Sequence, residues 1–495
     1  MTSQRDETRT LRALGLGEGG TRRVTGLSVD SRDVKPGHLF CAMPGTRVHG
    51  AEFISYALRM GAAAVLTDTE GAAIAAQDLA RHDATLVIAE EPRLALARAA
   101  ARWYDRQPEV AVAVTGTNGK TSVATFTRQI WTALGHAACN IGTTGVEGAW
   151  TTRLAHTTPE PITLHRVLAG MTDAGVTHVA MEASSHGLAQ RRVDGVHLAA
   201  AAFTNFSQDH LDYHASFEEY FAAKAGLFTR VLPDDGGAVI NLDDPKGPVM
   251  AALARSRGQR LLTVGRADNA DLRIEGQRFD ATGQELRFRW QGAVRQVRLD
   301  LIGGFQAANA LAAAGLAIAS AEAPDAVFAA LSSLSTVRGR MELAATRGNG
   351  ATVFVDFAHT PGALETALTA LRPHVMGRLV VVFGAGGNRD RGKRPLMGQA
   401  AAKHADVVFV TDDNPRSEDP GAIRAEIMQE CSGATEVNDR AEAILRGVDA
   451  LGPGDALLIA GKGHETGQTV GDDVYPFDDV EQASVAVAAL DGRVA

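Results

Sequence analysis

The run Thr115-Gly116-Thr117-Asn118-Gly119-Lys120-Thr121-Ser122 brings together the residue types that surround a polyphosphate. Backbone N–H groups of such a loop, and of the helix it opens, point at phosphate oxygens. The lysine neutralises charge and the hydroxyl can sit on magnesium. A Gly-Lys-Thr tripeptide alone is as often an ordinary turn. Here the apolar run Val110–Val114 precedes it and a helical pattern follows, which is the context a phosphate loop requires. The strict P-loop pattern would place glycine where Val114 stands. The chain has no Asn-Lys-x-Asp guanine reader, so adenine is the expected base.

Phosphoryl transfer needs positioning and charge neutralisation, usually with a hard cation held by carboxylate, hydroxyl and water oxygens. Glu182 directly follows the apolar run Val179–Met181, and His210 lies in Asp209-His210-Leu211-Asp212 after the next run. Taken singly they read as a helix-capping carboxylate and a loop histidine. Together with Thr121 they form a candidate magnesium set, because all three follow apolar runs of one series.

These residues must be positioned by strands. From Val110 onward the apolar runs Val179–Met181, Ala199–Phe203 and Ala238–Ile240 alternate with helical patterns, the rhythm of a parallel sheet. Period-two alternation between Asp271 and Leu301 predicts antiparallel strands, and an Ala-rich helix is expected over Phe305–Ala321. A third series, Val353–Val355, Leu379–Phe383, Val407–Val410 and Leu457–Ile459, begins near Arg338. Before these, Ala63–Leu66, Thr85–Ile88 and the helical Leu94–Trp103 suggest a small α/β domain. The expected architecture is α/β in three domains: residues 1–100, a central P-loop ATPase over 101–337 with a mainly parallel sheet plus antiparallel strands, and a Rossmann-like domain over 338–495. In the last two, nearly every run ends in a polar cluster. Open parallel sheets bind ligands at the carboxyl ends of their strands, so a site between two such rims is expected.

Composition narrows the classes. A chain of 495 residues with 45% hydrophobic and 22% charged residues is an ordinary globular protein. Its net charge of -9 argues against nucleic acid as a partner. Three widely spaced cysteines support neither a disulfide framework nor a zinc site. With no signal-like or membrane-spanning run, a cytoplasmic monomer is expected.

The phosphate loop, Met181-Glu182-Ala183-Ser184-Ser185-His186-Gly187 and Asp209-His210-Leu211-Asp212-Tyr213-His214 together resemble the signatures of the Mur ligases, the amide-forming enzymes of peptidoglycan precursor synthesis. The resemblance runs from the Asp-Ser-Arg loop near residue 30 to Glu465. It implies one domain for a UDP moiety, a central ATPase and a C-terminal domain that brings an amino acid. It implies that Gly116 to Ser122, Asn309, Arg340 and Asp356 bind ATP. It also implies that Lys120, Glu182, His210 and Lys224 serve catalysis, with Lys224 carbamylated to N6-carboxylysine and joining Thr121, Glu182 and His210 around Mg2+. The residue pattern alone makes Lys224 an exposed helix lysine. Phe357 stands where many relatives have tyrosine.

For the UDP-N-acetylmuramoyl dipeptide, the resemblance implies Val29, Ser31, Thr46, Arg47 and Val48 at the uridine end, and Thr157, Thr158, Ser184, Gln190 and Arg192 along the peptide. His156 and Pro159-Glu160 depart from the family pattern there. In the third domain Asp412-Asp413-Asn414-Pro415-Arg416 resembles the recognition motif of the branch that adds meso-diaminopimelate, with Arg389, Gly461 and Glu465 as further contacts. Diaminopimelate differs from lysine by a second carboxylate, which Arg416 can hold through two charge-assisted hydrogen bonds. A surface pair of Arg416 with Glu418 or Asp419 is the plainer alternative. Three other functions stay open: lysine addition, folylpolyglutamate synthesis, and a nucleotide-binding regulatory module without catalysis.

Overall fold

The computed structural model describes residues 8–17, 20–45, 48–207, 213 and 216–492. These form two compact units, residues 1–264 with 315–323, and residues 265–314 with 324–495. By compactness the chain leaves the first unit after Val264 and re-enters it at Gly315, so the segment with the antiparallel strands is described with the second.

Besides the short antiparallel pair Arg9–Thr10 and Arg23–Val24, two larger sheets build the first unit. Strands Gly26–Ser28, His38–Cys41, Ala64–Thr67 and Thr85–Ile88 pair in parallel in that order. Successive side chains of a strand point to opposite faces, and both faces are covered here. Leu39, Cys41, Ala64 and Leu66 pack into one core, while Phe40, Ala42 and Val65 pack into another. The larger sheet has the order Arg260–Gly265, Gly237–Asn241, Ala200–Phe203, Val110–Thr115, His178–Glu182, Ala138–Gly142 and Gly145–Gly148. All pairs are parallel except the terminal hairpin. Ala111, Ala113, Val179, Met181 and Phe203 share one core, and the alternate residues Val112, Val114, Ala180 and Ala202 are buried too. With every strand of the set pointing the same way, Thr115, Glu182 and Phe203 end at one rim.

In the second unit the meander Leu272–Asp280, Gly283–Trp290 and Ala293–Leu299 is antiparallel, as its alternation predicts. His374 ties it down: Gly303 N donates to Nε2 at 3.0 Å, so Nδ1 donates to the Asp280 carbonyl at 2.7 Å. The main sheet runs Glu342–Thr346, Thr352–Asp356, Ala456–Ala460, Leu379–Phe383, Val407–Val410 and Thr435–Glu436, parallel after its first pair. Its rim is braced by Arg440, fully buried and held by both carboxylate oxygens of Asp479 at 2.8 and 2.7 Å. Arg440 also donates to the carbonyls of Asp412 and Ala460, which begin two of the loops that follow the strands. Asp479→Ala strands this guanidinium without a counter-charge and is expected to lower stability by about 3–5 kcal/mol in chemical denaturation.

Candidate active site

Gly119, with φ of +84°, turns the chain into the helix Lys120–Ala133, whose N-terminus carries no side-chain cap. An uncapped helix N-terminus of this kind suits an anion. The loop is held from the neighbouring strand end. Asn205 accepts from Thr117 N and Asn118 N at 2.9 and 2.8 Å, and Thr204 Oγ1 donates to the Asn118 carbonyl at 2.6 Å. Gly116 sits so close that a Cβ there would fall 1.9 Å from Thr204 Oγ1. Lys120 folds over this loop, donating to the carbonyls of Gly116 and Thr117 at 2.9 and 2.8 Å.

Glu182 is the last residue of its strand and only 2% exposed. Its Oε1 accepts from Thr121 Oγ1 at 2.9 Å and from Thr143 N at 3.0 Å. It is therefore no helix cap; that role falls to Ser184, whose Oγ accepts from Gly187 N. A hydroxyl and a carboxylate in contact at an uncapped helix N-terminus are a hard oxygen set suited to Mg2+. Lys224 corrects the simplest expectation. Far from being an exposed helix lysine, it is 1% exposed, lies 4.5 Å from the centre of the Tyr220 ring and donates to the Gly116 carbonyl at 2.8 Å. The helix Phe217–Gly226 turns it inward toward the nucleotide loop. His210, with Asp209 and Asp212, lies outside the described residues.

The nucleotide-sugar residues expected at opposite ends of a ligand meet in one cleft of about 850 Å³, lined by Val29, Ser31, Val48, Gln190 and Arg192. Thr46 and Arg47 lie outside the described residues. Tyr56 and Arg93 also line the cleft. Neither stands in a recognisable motif, so sequence reading missed them. Thr158 is 2% exposed, and its hydroxyl donates to the Glu182 carbonyl at 2.8 Å and accepts from Ser184 N at 3.0 Å. Both Thr158 and Ser184 hydroxyls thus serve internal bonds in this structure. Thr157 reaches Thr143 Oγ1 at 3.2 Å. Arg192 donates to the Thr158 carbonyl at 2.6 Å and to Gln190 Oε1 at 2.8 Å, and its burial lowers its pKa. Glu160 caps the helix Pro161–Asp173, a structural use of a residue that departs from the family pattern.

In the second unit Asp356 accepts from Met341 N and Ala358 N at 2.7 and 2.8 Å. Burial raises its pKa, opposed by the nearby Arg340 charge and these N–H groups. Arg340 lies 4.8 Å from the centre of the Phe357 ring, so the aromatic face persists where the tyrosine hydroxyl is absent. Asn309 is buried and donates to Gln306 at 2.9 Å.

The loops after three strands of this unit converge around Asn414. Its Oδ1 accepts from Lys462 Nζ and Thr469 N, both at 2.9 Å, and its Nδ2 donates to Glu465 at 2.9 Å. Lys462 is fully buried and 3.4 Å from Asp413. Burial lowers its pKa, with the Asp413 charge opposing. It is the main residue sequence reading missed here, since a lysine beside two glycines carries no motif. Pro415 is buried beside Arg416, and Gly461, with φ of +121°, faces Asp413. Arg416 has φ of +52° and donates through Nη1 to the Gly387 carbonyl at 2.7 Å. The surface pair is not formed. Glu418 pairs with the buried Arg394 at 2.9 Å, and Asp419 caps the helix Pro420–Met428. Arg389 is exposed, with its stem near Gly386 as is the Arg416 guanidinium.

Three family descriptions match the chain: Mur ligase family, catalytic domain, over residues 23–104; Mur ligase middle domain over 114–317; and Mur ligase, glutamate ligase domain, over 339–463. A UDP-N-acetylmuramoyl-L-alanyl-D-glutamate--2,6-diaminopimelate ligase of Brucella melitensis is 49% identical over 96% of each chain. The chain belongs to the Mur ligase family. A ligase of the same name from Agrobacterium fabrum is 47% identical over 97% of each chain. A solved structure of a UDP-N-acetylmuramoyl-L-alanyl-D-glutamate--2,6-diaminopimelate ligase superposes with a TM-score of 0.75 at 33% identity, covering 98% of this chain and 99% of that one.

One glycine of this Mur ligase has a direct consequence for the site. A Cβ on Gly142 would fall 2.1 Å from Glu182 Oε1. Gly142→Ala therefore pushes the carboxylate away from Thr121, and turnover is expected to drop about 10²-fold. Circular dichroism melts near wild type would separate this from misfolding.

Proposed function

We propose that the chain joins meso-diaminopimelate to the γ-carboxylate of D-glutamate in UDP-N-acetylmuramoyl-L-alanyl-D-glutamate, using ATP, in peptidoglycan precursor synthesis. One observation carries this reading: the nucleotide-sugar cleft is tied to the nucleotide loop by consecutive contacts. Arg192 at the cleft holds Thr158, Thr158 holds the Glu182 backbone, and the Glu182 carboxylate meets Thr121 at 2.9 Å. A dipeptide lying along the cleft past Gln190 and Arg192 thus has its carboxylate end directed toward the ATP phosphates.

In this reading the γ-carboxylate oxygen attacks the γ-phosphorus, the bond to ADP breaks, and an acyl phosphate forms. The amine of diaminopimelate adds to the acyl carbon, and the tetrahedral adduct loses inorganic phosphate and a proton to give the amide. Gly116 to Ser122 cradle the phosphates, with Lys120 swinging from the loop carbonyls onto the transferring group. When bound, Mg2+ would supply charge neutralisation at the phosphates, and Thr121, Glu182, His210 and, once carbamylated, Lys224 are the residues proposed to hold it. Lys224, buried against Gly116, is proposed to add to CO2 as the neutral amine, releasing a proton and placing a carbamate where a cation now lies. Asn309, Arg340 and Asp356 are assigned to ATP. Asp413, Asn414, Pro415, Arg416, Arg389, Gly461 and Glu465 are assigned to diaminopimelate, with Glu465 on its ammonium. Functionally, segments 1–100, 101–337 and 338–495 are assigned to the nucleotide sugar, ATP and the amino acid. A monomer in the cytoplasm is the proposed state; among the described residues no helix is long and apolar enough to cross a membrane.

The test is phosphate release from ATP with the UDP-muramoyl dipeptide and either meso-diaminopimelate or L-lysine. Diaminopimelate is expected to be preferred by about 10²-fold or more in kcat/KM. Equal rates, or release without the dipeptide, would overturn the assignment.

A further inference from the structure

At the opposite end of the larger sheet from the nucleotide loop, three side chains of the first unit converge. His178 begins the strand that ends in Glu182, His136 follows the helix that starts at Lys120, and Glu322 lies just beyond the helix Phe305–Ala319. One ligand atom from each of the three lies within 4.8 Å of the other two. His136 Nε2 is 2.8 Å from Glu322 Oε1, and His178 Nε2 is 3.8 Å from the same oxygen. The two imidazole rings lie 4.0 Å apart, centre to centre.

Thr177 Oγ1 holds His178 Nδ1 at 2.8 Å and also reaches the Ala137 carbonyl at 3.3 Å, which orients the ring. Nε2 of His178 is thereby left to face the Glu322 carboxylate. The residue is 6% exposed. Three ligand atoms converging in this way, with His178 almost wholly buried, make a pocket suited to a shared cation. In metal sites, an imidazole whose far nitrogen donates to a fixed acceptor is the usual oriented ligand.

We propose that His136, His178 and Glu322 form a binding site for a divalent transition cation of the zinc class. Two imidazoles and a carboxylate suit zinc, whose tetrahedral bonds of about 2.0–2.1 Å place ligand atoms about 3.3 Å apart. The separations of 2.8 and 3.8 Å bracket that spacing. The His136 and Glu322 side chains are 33% and 19% exposed, leaving an entry side and room for a water as fourth ligand. The bound ion would link the C-terminal end of the nucleotide-loop helix to the first residue of the Glu182 strand. The site uses none of the residues assigned to the ligase reaction.

The test is calorimetric titration of Zn2+ into the full chain, freed of metal by chelation, with Co2+ absorption as a second readout. Wild type is expected to take up one equivalent with micromolar affinity and to give the intense visible bands of tetrahedral Co2+. Glu322→Gln, close in size and shape to the original, and His136→Ala are each expected to weaken binding about 100-fold and remove those bands. ATP turnover in Mg2+ alone should be unchanged in both. Wild-type affinity and Co2+ bands in both variants, or no stoichiometric uptake by the wild type, would overturn the proposal.

Discussion

Replacing Lys120 with alanine is expected to lower kcat for ATP-dependent amide formation by about 10³-fold, with a much smaller change in the KM of either amino-acid-bearing substrate. The ammonium lies over the nucleotide loop at 2.8–2.9 Å from two of its carbonyls, within side-chain reach of a phosphate at the helix N-terminus. Charge builds on the phosphoryl oxygens as the bond to ADP breaks, so an interaction made mainly at that stage acts on kcat. Phosphate release under saturating substrates measures this directly. A Lys120→Ala enzyme within about tenfold of wild type would mean that the loop is structural. Lys120→Arg separates charge from shape: the planar fork does not fit a site shaped for a compact ammonium, and little activity should return.

Arg416→Ala is the second large effect. Each charge-assisted hydrogen bond lost is worth about 1.5–3 kcal/mol. Losing a bidentate pair to the distal carboxylate should therefore lower kcat/KM for diaminopimelate by about 10²- to 10⁴-fold. The guanidinium has one end pinned on the Gly387 carbonyl and forms no ion pair with a carboxylate of the chain among the described residues, so its charge remains available to a ligand. Activity toward L-lysine should stay level or rise, because an arginine facing a side-chain ammonium repels it. The KM for the nucleotide sugar should not move. A loss shared equally by all substrates would make Arg416 a prop for its left-handed turn at φ of +52° and nothing more.

Much of this was legible because chemistry and fold use the same signals. Parallel strands covered on both faces give unbroken apolar runs, so Val110–Val114, Leu379–Phe383 and Val407–Val410 announced themselves. The polar residues ending each run then had to share a rim. Strands with mixed content stayed hidden. In Ala138–Gly142 a buried Asn140 interrupts the pattern, accepting from Arg128 at 2.6 Å, a contact no local rule anticipates. Burial of charge was equally invisible. Lys224, Lys462 and Arg440 look like surface residues in sequence, and only long-range partners such as Gly116, Asn414 and Asp479 allow them to lie inside.

The acyl phosphate is the central claim, and oxygen transfer tests it most directly. With the D-glutamate γ-carboxylate of the nucleotide-linked dipeptide labelled with heavy oxygen, the account predicts that each amide formed releases one inorganic phosphate carrying one labelled oxygen. Amide formation that leaves the phosphate unlabelled would show that the carboxylate never bonded to phosphorus, and the mechanism would be wrong.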